Sequence, residues 1–155
     1  MTTPPQGRLT LTIHTPDGRL VDRREARNLV VKGGAQLIAG LFSGKISTPI
    51  DRVRVGFGKA SAAVASDRLD APQPHPENLQ APLTKDNFTV DVTGETAVSV
   101  RVSAPFTPTA DVAGVTEAGL FAGEVLYNQV VFEPINLSTG HVITFFWQID
   151  FPFGR

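Results

Sequence analysis

Alternation of apolar and polar positions runs through most of this chain. Over residues 141–151, Ile143, Phe145, Trp147, Ile149 and Phe151 occupy every second position, which in an extended strand places them on one face. Each such side chain contributes about 1.5–3 kcal/mol when fully buried, so this strand is expected to anchor a core. Leu9, Leu11 and Ile13 alternate with Thr10, Thr12 and His14, and Pro16-Asp17-Gly18 supplies a tight turn from which Arg19–Glu25 returns as a hairpin. Val53, Val55 and Phe57 share a face opposite Arg52 and Arg54. Phe88, Val90 and Val92 lead to the turn Thr93-Gly94-Glu95; Val98, Val100, Val102 and Ala104 lead back, with Ser99, Arg101 and Ser103 outward. Thr107–Gly114 reads as a loop, Val115–Phe121 and Glu124–Phe132 as extended segments, and Pro134 to Gly140 as the connection into the last strand.

The period changes once. After Asn28-Leu29-Val30-Val31 and Gly33-Gly34, the residues Leu37, Ile38, Leu41 and Phe42 fall at helical spacing, which predicts a short helix over Ala35–Ser43 ended by Gly44 in a left-handed conformation. A helix this short is marginal alone and is expected to pack on the sheet. Residues 1–7 read as a flexible arm, and 59–86 as a long excursion in which Pro72, Pro74, Pro76 and Pro82 oppose regular pairing. The pattern predicts a mainly β single domain over residues 8–155, an antiparallel β-sandwich or open barrel with one short α-helix at about 35–43.

Composition narrows the function classes. A chain of 155 residues can bury a core without disulfides or metal. The absence of cysteine removes a disulfide scaffold, a thiolate zinc site and a cysteine nucleophile. No apolar run approaches the roughly 18 residues of a membrane span, and the N-terminus lacks a signal-peptide layout, so no membrane partner is expected. Net charge is −1, but residues 1–60 carry ten basic against four acidic side chains (+6) and residues 61–155 four against eleven (−7). The halves either interleave in the fold and mix their charges, or present faces of opposite sign suited to head-to-tail contacts between identical subunits. No basic stripe is interleaved with aromatics, so nucleic acid is not expected as a partner.

Motifs for catalysis are weak. His14, His75 and His141 have no zinc-type spacing, and no metal or cofactor is expected. Gly40-Leu-Phe-Ser-Gly44-Lys45-Ile46 falls short of a P-loop by one residue between its glycines and has Ile46 where a hydroxyl belongs. No Gly-x-Ser-x-Gly occurs. Glu117, the one acid within the apolar run 115–121, is a general base, or alternates to the outer face, or accepts backbone hydrogen bonds at a strand kink. No enzyme is expected.

One ordered set of segments resembles a known group. Asn28-Leu29-Val30 with Gly34 and the Leu37–Leu41 helix, Val55-Gly56-Phe57-Gly58, Thr116-Glu117-Ala118-Gly119-Leu120-Phe121, Val131-Phe132-Glu133-Pro134-Ile135 and Trp147-Gln-Ile-Asp-Phe151 together resemble small structural proteins of tailed bacteriophages and contractile injection particles, including the N-terminal domains of tail-collar fibres. The resemblance implies a non-enzymatic virion protein, made in the bacterial host cytoplasm, whose partners are identical subunits and other virion structural proteins, as a homo-oligomer within an assembly. Tail fibres continue into a long shaft and receptor-binding tip, whereas this chain stops four residues after Phe151, which points away from receptor binding and to a stand-alone adaptor, baseplate or decoration subunit. The alternatives are a capsid decoration protein and a carbohydrate-binding β-sandwich module, for which Trp147 and Tyr127 are the only Trp and Tyr. Candidate contact residues are Phe146 and Phe153, where a neighbour or the 59–86 loop would cover the last strand, together with Pro72, Pro74 and Pro76 and the basic cluster Arg23, Arg24 and Arg27.

Overall fold

The computed structural model describes residues 6–58 and 62–154, and its architecture is a two-sheet antiparallel sandwich with one helix. In chain order the elements are β1 (Gln6–His14), β2 (Leu20–Arg27), β3 (Leu29–Val30), α1 (Lys32–Ser43), β4 (Arg52–Gly56), β5 (Gln80–Pro82), β6 (Phe88–Thr93), β7 (Ala97–Phe106), β8 (Val112–Ala122), β9 (Val125–Leu126), β10 (Asn128–Leu137) and β11 (Val142–Pro152). The first sheet has the order β2-β1-β11-β7-β6; the second is β3-β10-β8-β4-β5, with β9 paired to β8. The sheets face each other and do not close into a barrel, which decides between the two architectures predicted.

β11 lies at the centre of the first sheet, between β1 and β7. Its alternation works as expected: Ile143, Phe145, Trp147 and Ile149 are buried against the second sheet, Trp147 stacking on Phe145 at 5.9 Å, while Phe151 at the end is only half-buried. The opposing inner face brings Val53 and Val55 from β4, Ala118 and Leu120 from β8, and Val130 and Ile135 from β10. β8 is buried on both faces because Phe121, pointing the other way, packs with Val31, Leu69 and Leu126 beneath the 62–79 segment. That double burial explains why Val115–Phe121 reads as a continuous apolar run rather than an alternating one.

Several expectations need correction. The arm predicted over residues 1–7 already includes β1 from Gln6; residues 1–5 lie outside the described residues, as do 59–61 of the long loop. Within that loop, Gln80–Pro82 pairs with β4 as an edge strand, Pro82 opposite Arg52, which a residue lacking N–H can do at a sheet edge. The strand expected at Glu124–Phe132 is broken: Glu124 sits in the β8–β9 turn, and β10 runs on to Leu137. Pro134, expected in a connection, lies inside β10 where three residues (132–134) oppose the single Thr116, a bulge that removes the need for its missing donor. Ser99 does face outward, but it is fully buried there by hydrogen bonds to Thr93 and Asp150. The two charge halves interleave, since β1 and β2 pair into one sheet with β11, β7 and β6.

The helix begins three residues earlier than predicted, so Gly33 and Gly34 are inside it; Gly44 ends it at φ 76° as expected. The reason is contact distance. A Cβ on Gly34 would lie 2.0 Å from the Tyr127 carbonyl oxygen, and one on Gly40 2.4 Å from the Ile46 side chain, so the helix is seated on its glycine side with Leu37 between.

Candidate functional site

Seating α1 on glycines turns its apolar residues outward. Of the four residues whose spacing predicted a sheet-facing stripe, only Leu37 is buried; Ile38 and Leu41 are exposed and Phe42 is 93% exposed. Ile38, Leu41 and Phe42 follow i, i+3, i+4 spacing and form one face. Leu41 and Phe42 were read as core, and the structure makes them surface because the close approach to Tyr127 rotates the helix.

On the outer side of the second sheet, two polar devices hold Gly58 and the 62–80 segment. The first is Glu117, buried on β8. Its Oε2 accepts hydrogen bonds from the backbone N–H groups of Gly58 and Asp70, each at 2.7 Å, and its Oε1 accepts from Gln129 Nε2 at 2.9 Å. The adjacent Thr116 hydroxyl donates to the Gly58 carbonyl at 2.5 Å. Gly58 has to be glycine here, because a Cβ would stand 2.7 Å from the Glu117 carboxylate. All the hydrogen bonds the carboxylate makes are to donors of the fold, which matches the backbone-acceptor reading of Glu117. The Val-Gly-Phe-Gly and Thr-Glu-Ala-Gly segments thus meet in space as lock and clasp.

The second device centres on Arg54, which sequence alternation placed on the face opposite Val53 and Val55. Its side chain is 5% exposed and forms a bidentate pair with Glu124, 2.9 and 3.0 Å, although Glu124 is itself 75% exposed. Arg54 Nε donates to Gln80 Oε1 at 3.0 Å, and the guanidinium lies 4.7 Å over the Phe121 ring. His75 is buried beside it, Nε2 at 3.0 Å from the Val55 carbonyl oxygen. Burial first and the Arg54 charge second hold the His75 ring below its ordinary pKa, while the hydrogen bonds from Arg54 hold the Glu124 carboxyl below its own. A cleft of about 230 Å³ is lined by Arg54, His75, Glu124, Arg68 and Asp67. No sequence signal could have assembled this group, because Gln80 and Glu124 lie 26 and 70 positions from Arg54.

The candidate contact residues divide among different surfaces. Phe146 is 38% exposed on the outer face of the first sheet, with Arg23 and Arg27 on the same face two strands away. The 59–86 loop does not cover it: the described part of that loop lies on the second sheet. Arg24 leaves the basic cluster altogether, pairing with Asp22 and donating to the Glu133 and Pro134 carbonyls of β10, so it bridges the sandwich edge. Phe153 is exposed beyond the end of β11, and Val90 and Val92 of edge strand β6 are likewise exposed. Pro72 and Pro74 are exposed and Pro76 half-buried. Trp147 and Tyr127 are both buried, and burial pushes the Tyr127 hydroxyl up to about 12, so neither ring is offered to a sugar.

Among the described residues no three His, Asp or Glu side chains converge in a metal-holding group, and no helix is long and apolar enough to cross a membrane. Comparison of the chain with protein-family models, with curated proteins and with solved structures gives no match.

Proposed function

We propose that this protein is a non-enzymatic structural subunit of a phage virion or injection particle, of the tail or baseplate, that assembles through contacts between identical subunits. The observation that carries the reading is the outward face of α1. A monomer gains nothing from presenting Ile38, Leu41 and Phe42 to water, and burying three such side chains in a contact contributes about 1.5–3 kcal/mol each. The helix is held rigidly on its glycine side, so the face is presented in a fixed orientation, which lowers the ordering cost of a contact. Val90 and Val92, exposed on edge strand β6, give a second surface of the same character, as a subunit with two neighbours requires. The order of sequence segments that resembles tail proteins agrees with this reading.

The test is sedimentation velocity over a concentration series, on the natural chain and on the double variant Ile38→Ser/Phe42→Ser. The natural chain is expected to associate with rising concentration, and the variant to remain monomeric with an unchanged thermal midpoint. A natural chain that stays monomeric at millimolar concentration would overturn assembly through α1.

A further inference from the structure

The outer face of the first sheet carries an unbalanced charge pair. Reading across β2, β1, β11, β7 and β6, one row of side chains is Arg27, Arg8, Gln148, Arg101 and Thr89; the next is Glu25, Thr10, Phe146 and Ser103. Arg8 and Arg27 stand directly opposite each other on neighbouring strands, an arrangement in which like charges repel. Elsewhere on this face guanidinium groups have partners: Arg23 pairs with Glu25 at 2.8 Å and Arg101 with Asp91 at 2.9 Å. Among the described residues neither Arg8 nor Arg27 has a carboxylate within ion-pair distance. The nearest acids on the face are already engaged, Glu25 with Arg23 and Asp150 with the Ser99 hydroxyl at 2.6 Å.

The two arginines line a groove of about 530 Å³ together with Thr10, Phe146, Gln148, Asn28 and the two engaged acids, Glu25 and Asp150. Phe146 provides an exposed aromatic ring in it. Asn28 has both amide atoms buried without a partner in the protein. A pair of forked guanidinium groups matches a carboxylate in bidentate geometry, an aromatic face takes the C–H side of a pyranose ring, and the Thr10 hydroxyl and Gln148 amide suit ring hydroxyls.

We infer that this groove binds an acidic saccharide, a pyranose bearing a carboxylate, with the carboxylate between Arg8 and Arg27 and the ring against Phe146. This goes beyond the assembly reading and rests on a different surface, so either can fail without the other. It also moves saccharide recognition from the buried Trp147 and Tyr127 to Phe146.

Titration calorimetry on the whole chain tests it, with trigalacturonate and sialyllactose as acidic probes, lactose as the neutral one, sodium sulfate as a bare anion and a glutamate-rich peptide as a competing macromolecular class. At least one acidic saccharide is expected to bind, more tightly than lactose or sulfate. Arg8→Gln and Arg27→Gln should each weaken it by about tenfold or more, and Phe146→Ala by a similar factor. These positions are on the outer face, and thermal unfolding of Arg8→Gln should show no loss of stability because a repulsion is relieved. Failure of both acidic saccharides to bind would overturn the proposal, as would equal binding of lactose or sulfate, tighter binding of the peptide, or affinity that survives the double arginine variant.

Discussion

Replacing Glu117 by glutamine changes one atom and should unfasten the 57–70 segment. In the natural chain the carboxylate accepts from two backbone N–H groups and one amide. A glutamine keeps one oxygen for Gly58 and Asp70, but as a neutral acceptor of roughly half the strength, about 1 kcal/mol lost at each bond. Its new NH2 group would face the Gln129 amide donor, which must turn over to accept and release the N–H of Ala63 that its own oxygen now takes at 3.4 Å. The expected cost is about 2–3 kcal/mol, and Glu117→Ala, which strands all three donors, should cost about 5 kcal/mol. Urea unfolding followed by Trp147, the one tryptophan and fully buried in the core, reads the global loss. Hydrogen exchange at the amides of Gly58 and Asp70 reads the local one, and these should lose protection ahead of β1 and β11. A Glu117→Gln chain within about 0.5 kcal/mol of the natural one, with unchanged exchange at both amides, would refute the clasp.

The remaining predictions concern the helix seat and the Arg54 group. Gly34→Ala places a Cβ 2.0 Å from a backbone oxygen that has no rotamer to escape by, and should cost about 2–3 kcal/mol in urea unfolding. Glu124→Gln should cost about 1–2 kcal/mol, more than its exposure suggests, because its partner Arg54 is the buried member of the pair. Since Arg54 depresses the Glu124 pKa from 4.5, this stabilisation is present above pH 4.5 and is lost as pH falls through the lowered value; acid titration of the Glu124→Gln chain should be flatter there. His75 lies below 6.5 in the folded state, so the unfolded chain binds more protons just under that pH. Stability should therefore decline as pH drops below about 6.5, and His75→Gln should remove that decline, as measured by thermal midpoints across the range.

Strands were legible wherever one face met the core and the other met water. Leu9, Leu11 and Ile13, the β6–β7 hairpin and the alternation of β11 all follow from period two. Legibility failed where that condition failed. Arg54 alternates away from the core, yet a second layer, the segment around Leu69 and His75, covers it, and nothing adjacent to Arg54 in sequence announces a lid contributed from elsewhere. Helix α1 misled for a related reason: periodicity locates an apolar stripe but does not say which side approaches the protein. Gly34 and Gly40 held the missing information: each lies three residues from Leu37, so the helix has one side bare of side chains beyond Leu37 and can approach more closely there. The candidate contact residues divide among several surfaces, which their order along the chain does not show. Arg24 and Arg27 are three apart on one strand, so they point to opposite faces.

The central claim, that this protein is a subunit of a phage or injection-particle tail, is tested most directly by electron microscopy of particles from the cells that produce it, with the protein marked by a gold-conjugated antibody. Gold on the tail or baseplate at a regular stoichiometry is the predicted result. Gold over the head would contradict the tail assignment in favour of a decoration role, and particles free of gold would contradict the structural reading itself.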